Sequence, residues 1–424
     1  MKRSRPVGRY HLLDRVGSGG MADVYRARVV DDDGGERLVA LKRVIEMYAE
    51  DPTFVKMLVA EYRLSAMLLH PNIARILELL RSPEGYFIVM EYIDGKDLRS
   101  TLTRGLELRR PMETADAVYL MARAVDGLDH AHAATTPDGH ALRLVHRDFS
   151  PSNILVGYDG SVKIIDFGIA KADVDRERTQ MGVIKGKVRY MSPEQAQGED
   201  RLTGQSDVFS AGSVLYEVLA GAPAFQAPNE VELIYAVRRA APRPLRELNP
   251  AVPEELEAAV LKAMARARKD RYPTAGAFRD DLVQYLRTVA PTYRRTRLAG
   301  YMKAVWAGAI EEELATLLEY ALSDAPAAPS EDLLATASVE ESMSDLAGVL
   351  GPADLRPSAP NPPPRHPFPT PASGPVPVPA PSFPSVPPDD LFAQPERWEE
   401  PPTDADPHAK SSPFGPLPGR GTRR

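Results

Sequence analysis

The chain has 424 residues, a net charge of −7 and no cysteine, which excludes a disulfide scaffold, a cysteine nucleophile and any thiolate metal site. Its acidic balance, with a pI near 5.7, argues against a general nucleic-acid binder. No run of about 18 apolar residues is present, so no membrane-spanning helix is expected; the basic start MKRSRPVGRYHLLDRV leads into no apolar segment, as a secretory signal would.

In chain order, residues 10–16, 21–29 and 38–44 read as strands, with the Asp31-Asp32-Asp33-Gly34-Gly35 stretch as a hairpin connection. Residues 53–69 keep helical periodicity and stop before His70-Pro71. Residues 73–80 and 86–93 are two further strands around a Ser82-Pro83-Glu84-Gly85 turn. Beyond residue 95 the pattern is mainly helical, over about 113–133, 206–220, 229–240, 253–266 and 274–288, with short strands at 154–157 and 162–165. Residues 298–323 form one more amphipathic helix. The expected fold class is therefore α+β, a small β-rich lobe followed by a larger helical lobe. From residue 324 onward Ala, Ser, Pro and acids dominate. Of the 41 prolines, 23 fall within residues 351–424, which prevents regular hydrogen-bonded structure and predicts a disordered tail. Residues 307–350 hold ten Asp and Glu and no Lys or Arg, so the acidity is local.

The first chemical candidate is Val16-Gly17-Ser18-Gly19-Gly20-Met21-Ala22-Asp23-Val24, between two strands. Glycines there let backbone N–H groups approach phosphate oxygens; an ordinary glycine-rich hairpin turn reads the same. Val39-Ala40-Leu41-Lys42 places one lysine on an apolar strand. It is either a solvent-facing lysine or half of an ion pair with Glu61 on the following helix. In the second half, His146-Arg147-Asp148-Phe149-Ser150-Pro151-Ser152-Asn153 precedes a short strand, and Ile165-Asp166-Phe167-Gly168 follows the next one. Two acids and an amide at such loop positions make a hard-oxygen site suited to Mg²⁺.

Taken together and in this order, GSGGMADV, VALK, the Glu61 helix ending in HPNI, HRDFSPSN, DFG, MSPEQ and DVFSAG resemble the eukaryotic-like protein kinase family, in its bacterial serine/threonine branch, over residues 9–286. The resemblance implies a two-lobe protein kinase fold with a kinase domain at 9–286, a helical extension at 287–323 and a disordered Pro-rich tail at 324–424. It implies transfer of the ATP γ-phosphate to Ser or Thr hydroxyls of protein substrates, with Mg²⁺. Val16, Gly17, Ser18, Gly19, Gly20, Met21, Ala22 and Val24 would form the loop over ATP. Lys42 would hold the α- and β-phosphates, steered by Glu61. Asp148 would orient the acceptor hydroxyl and take its proton, and Asn153 and Asp166 would bind Mg²⁺. Val24, Ala40 and Leu155 would sandwich adenine, with Met90 behind it and Glu91 to Ile93 as the hinge. Glu194 and Arg271 match an ion pair that braces the large lobe.

There are departures from the family pattern. Ala22 stands where a third glycine is common, and the loop at 133–144 is longer than usual. Ser150 occupies a position where the family has lysine, and Lys187 one where it has threonine. One cation and one hydroxyl are kept with their places exchanged, so Lys187 is a further catalytic candidate. Within residues 171–187 the one hydroxyl residue is Thr179, beside Arg176 and Arg178, and autophosphorylation there is expected to pair with Arg147.

The alternatives are a pseudokinase scaffold or nucleotide sensor, and a small-molecule phosphotransferase. The first usually lacks one of the positions held here by Lys42, Asp148 and Asp166; the second lacks the peptide platform that MSPEQ and DVFSAG provide. The lack of cysteine fits a reducing, cytoplasmic location. The helix at 298–323, with its Glu311-Glu312-Glu313 run, is a solvated face packed against the kinase lobe, or else a dimer or partner contact. Residues 375–381 read as a polyproline II spacer or a docking peptide, with Phe368, Phe383, Phe392 and Trp398 as candidate anchors.

Overall fold

The structure is a computed structural model that describes residues 3–18, 22–30, 35–44, 52–136, 138–167, 187–199 and 201–323. The expected disordered tail, Thr179, Gly168 and the turn Gly19-Gly20-Met21 lie outside the described residues. Strands β1 (Arg5–Val7), β2 (Tyr10–Ser18), β3 (Ala22–Val30), β4 (Glu36–Val44), β5 (Ile76–Ser82) and β6 (Gly85–Glu91) form one antiparallel sheet in the order β1-β2-β3-β4-β6-β5. Side chains alternate across a strand. Val39 and Leu41 enter a core with Tyr10, Ala27, Val29, Phe87 and Val89, while Ala40, Lys42 and Val44 share the opposite face. On that face α1 (Pro52–Ala66) packs Phe54, Val55, Leu58 and Val59 against Val44, Leu79 and Ile88.

The larger lobe starts with β7 (Gly95–Asp97), α2 (Leu98–Glu107) and α3 (Thr114–His132), then β8 (Ile154–Gly157) and β9 (Val162–Ile164). It continues with α4 (Pro193–Gln197), α5 (Gly204–Ala220), α6 (Glu230–Arg239), α7 (Leu245–Leu248), α8 (Glu254–Ala263), α9 (Ala275–Val289) and α10 (Arg295–Ser323). Strands β7, β8 and β9 make a small antiparallel sheet. Helix α5 is buried on every side from Ser206 to Leu219, and its buried Ser210 and Ser213 satisfy themselves on the helix backbone, Ser210 Oγ on Ser206 O and Ser213 Oγ on Phe209 O. Around it Leu120, Met121, Leu128, Val214, Leu215, Val260, Phe278 and Leu282 form one core.

Several elements differ from the sequence pattern. The strand expected at 73–80 begins at Ile76 because residues before it are used elsewhere: Ala74 N–H donates to Ile164 O at 2.9 Å and Ile73 bridges to Ile164. The one expected at 86–93 ends at Glu91. Helix α2 has no long apolar period, yet Asp97 caps it, accepting from the Ser100 N–H at 2.9 Å. The three-residue strands β1 and β7 exist only through pairing; a Cβ on Gly95 would lie 2.1 Å from Val156 O, so β7 can approach β8 only as glycine. In the long loop at 133–144, Thr135 and Ala141 bridge across a turn closed by Thr136 and His140.

The Glu194–Arg271 pair lies inside this lobe, with two parallel hydrogen bonds of 2.7 and 2.8 Å. Burial alone would raise the Glu194 pKa; the bonds and charge of Arg271, with the Ser206 hydroxyl, outweigh it and hold the carboxyl down at about 2. A carboxylate depressed in the folded state stabilises it above the unfolded pKa and loses that contribution as pH falls through the folded value. The expected outcome is a loss of about 3 kcal/mol between about pH 4.5 and pH 2. Acid unfolding of wild type and Glu194→Gln, followed by circular dichroism, checks it: the variant is less stable at neutral pH and flatter across that window.

Candidate active site

The site lies between the sheet of the small lobe and the β8–β9 edge of the large one. Lys42 stands on β4 between Val24 of β3 and Ile88 of β6. Its Nζ donates to Asp166 Oδ1 at 2.5 Å, across 124 residues of sequence. Glu61, the partner expected from sequence, is on α1, and its side chain lies outside the described residues. Asp166 sits just beyond β9 with φ 59, and Arg147 has φ 65. Both are left-handed, which strains a non-glycine residue by about 1–2 kcal/mol and persists only where surroundings enforce it.

Those surroundings are visible. Asp207 of α5 is fully buried. Its carboxylate accepts from the His146 and Arg147 backbone N–H groups at 2.7 and 2.9 Å, and bonds the His132 ring at 2.7 Å. Burial would raise the Asp207 pKa, but the bond and charge of His132 lead the effects that bring it below the ordinary value. His146 Nε2 in turn reaches Ile165 O at 3.0 Å, joining the two catalytic-type loops. Gln195 of the MSPEQ segment donates to Arg147 O at 2.7 Å. Neither Asp207 nor Gln195 was singled out from sequence by role; the available signal for Asp207 was an acid within a largely apolar helix.

Asp148 is the point of convergence. Asn153 Nδ2 donates to its backbone carbonyl at 2.7 Å and to Oδ2 at 3.0 Å. Lys187 Nζ, 39 residues away in sequence, donates to the same Oδ2 at 2.6 Å. Ser150 is buried, and its Oγ has no hydrogen-bond partner among the described residues. Ser150, Asp148 and Lys187 line one small cavity with Tyr190, Met191 and Ser210. Below it, Tyr190 donates to Glu217 Oε2 at 2.5 Å and Arg99 binds Glu217 Oε1 at 2.7 Å, a network that sequence spacing did not announce.

The remaining candidates fall around the cleft. Val16, Gly17 and Ser18 end β2, and Ala22 and Val24 begin β3, with Gly17 opposite Val24. A Cβ on Gly17 would make only ordinary contacts with Val24, at 3.7 and 3.9 Å. Among the described residues nothing packs closely enough on Gly17 to demand glycine. Ala40 pairs with Met90, and Leu155 is on β8. Met90 borders a cavity of about 20 Å³ with Ile73, Asp166 and Phe167. Glu91 is turned away from it, accepting from Arg75 N–H at 2.7 Å and Lys163 Nζ at 2.5 Å. Tyr92 and Ile93 link β6 to β7.

The donor set fits a hard cation. Asn153 commits its NH₂ to Asp148, which turns its amide oxygen elsewhere, and Asp166 offers a carboxylate. No group of three or more His, Cys, Asp or Glu able to hold a metal occurs among the described residues.

The protein kinase domain profile matches residues 10–304. The chain is 42% identical over 282 residues to Tyrosine-protein kinase MasK of Myxococcus xanthus, covering 66% of this chain and 44% of that protein. It is 35% identical over 278 residues to Serine/threonine-protein kinase PrkC of Bacillus subtilis, covering 66% and 40%. To Serine/threonine-protein kinase PknB of Mycobacterium leprae it is 38% identical over 283 residues, covering 65% and 43%. The chain thus spans less than half the length of these relatives. A point mutant of the PknI kinase domain of Mycobacterium tuberculosis superposes with a TM-score of 0.50 at 22% identity, over 67% of this chain and 98% of that one, a likeness of fold.

Proposed function

Because the chain belongs to the protein kinase domain family, we propose that it is a protein serine/threonine kinase that transfers the γ-phosphate of ATP to hydroxyls of protein substrates. The convergence of Asn153 and Lys187 on the Asp148 carboxylate, with Lys42 on Asp166 across the cleft, carries this reading. Phosphoryl transfer needs little covalent help from protein; it needs an aligned acceptor and compensated charge. Asp148, fixed by two neighbours, aligns the hydroxyl and takes its proton. Lys42 compensates the α- and β-phosphates, with Glu61 as its steering partner. Asn153 and Asp166 would hold Mg²⁺, which supplies charge neutralisation at the phosphates. Val16 to Val24 cover the nucleotide, and Val24, Ala40, Leu155, Met90 and the Glu91 to Ile93 hinge enclose adenine.

Incubation with labelled ATP, Mg²⁺ and a generic protein substrate, followed by phosphoamino-acid analysis, tests the reading. Phosphoserine or phosphothreonine is expected. Tyrosine is the second reading, favoured by the likeness to a kinase named for tyrosine; Ser150 matches neither the usual serine/threonine pattern nor the usual tyrosine one. Absence of any transfer would leave a pseudokinase.

Activation by autophosphorylation at Thr179 belongs to the same proposal. A phosphate adds a charge of about −1.5 to −2 and would pair with Arg147, which is held at the catalytic loop. Thr179→Ala is expected to lower activity severalfold, and mass spectrometry of active protein is expected to find the phosphate; a bare Thr179 in fully active protein would refute it. We further propose a cytoplasmic location, which the cysteine-free composition fits; no described helix is long and apolar enough to cross a membrane. The Pro-rich segment is proposed as a spacer, with partner docking as its alternative role.

A further inference from the structure

Helix α10 begins in the large lobe and ends on the small one. Leu298 and Met302 belong to the large-lobe core. Midway, Glu313 accepts from Lys96 and from the Tyr158 hydroxyl, and Trp306 Nε1 donates to Thr101 Oγ1 at 3.3 Å. The Lys96 and Thr101 bonds run from the helix to the segment that follows the hinge, while the anchoring of its first turns rests on the buried Leu298 and Met302. In its final turns Tyr320 is buried, and its hydroxyl donates to the Leu13 carbonyl of β2 at 2.6 Å.

The landing point is not a regular stretch of strand. Leu12 pairs with Ala27 and Arg15 with Tyr25, so Leu13 and Asp14 both stand opposite Arg26. Such a two-against-one bulge bends a strand and locally disrupts its ladder. It is clamped on both sides here. Arg26, 2% exposed, donates to both Asp14 carboxylate oxygens at 2.9 and 3.0 Å and lies 5.9 Å from the Tyr92 ring in the hinge. Tyr320 holds the neighbouring carbonyl. Four residues further along, at about 3.3 Å per residue, the same strand reaches Gly17.

We propose that Tyr320 is a positioning residue for the Gly17–Ser18 end of β2: α10, anchored in the large lobe, pins the β2 bulge and so sets where that strand end lies. The functional half of this inference rests on the kinase reading; the clamp itself does not.

The test uses the full chain, with Tyr320→Phe, which removes only the hydroxyl, and Trp306→Phe, which removes an α10 bond that does not touch β2. Hydrogen exchange of β2 amides and steady-state kinetics against ATP are the readouts. Tyr320→Phe is expected to speed exchange around the bulge and raise KM for ATP by about fivefold each, the size of one hydrogen bond, with the change falling on KM rather than kcat. Trp306→Phe is expected to do neither. Unchanged β2 exchange in Tyr320→Phe, or equal shifts in both variants, overturns the proposal. Faster exchange with unchanged KM overturns its functional half. If wild type neither binds nor uses ATP, the kinase reading fails, and β2 exchange still decides whether the clamp exists.

Discussion

Asp148→Asn is expected to abolish measurable phosphotransfer while leaving the fold intact. The Asp148 carboxylate is the acceptor of both Asn153 and Lys187, and an amide keeps the shape and one acceptor oxygen. It loses the charge and the capacity to take a proton. General-base assistance of this kind is worth about 10²–10⁴-fold, and the lost orientation of the acceptor adds to it. Asn itself would also face Lys187 without compensating charge. Autophosphorylation and transfer to a generic substrate, measured beside a thermal melt, check the result. An unchanged melting temperature with no transfer is expected; retained transfer by Asp148→Asn, free of contaminating kinase, would sink the assignment of Asp148.

Lys187→Ala is expected to lower kcat about a hundredfold with little change in ATP affinity. The family position two residues after Asp148 carries Ser150 here, buried and with no partner for its Oγ among the described residues. Lys187 enters the same cavity from the segment before α4 and is bonded to Asp148. Electrostatic stabilisation depends on where a charge sits, not on which loop delivers it. A transition-state contact from such a cation is worth roughly 3 kcal/mol, which is about a hundredfold in rate. Ser150→Lys combined with Lys187→Thr should restore much of that rate, because the cation returns by the other loop. The competing account is that Lys187, half-exposed as it is, only screens Asp148. Steady-state kinetics separates the two: full rate in Lys187→Ala, or no rescue in the double variant, rejects the exchange.

The order of the chemistry-bearing residues and most of the periodic elements can be read along the chain. Helices α3, α5, α8 and α9 follow from apolar spacing that a 3.6-residue period imposes, and the alternation in β4 put Ala40 and Lys42 on one face. Lys42, Asp148, Asn153 and Asp166 were legible because each sits in a short motif whose neighbours are also constrained. Strands β1 and β7 were not, since three residues carry no measurable period and become strands only when a neighbour pairs with them. The bonds that complete the site were decided by tertiary structure alone. Lys187 meets Asp148 across 39 residues, Lys42 meets Asp166 across 124, and Tyr320 meets Leu13 across 307. Asp207 orients the His146–Arg147 backbone from a different helix. Local spacing reflects backbone geometry and is written along the chain. Which distant groups share a hydrogen bond depends on how packed elements cross, and no spacing along the chain encodes that crossing.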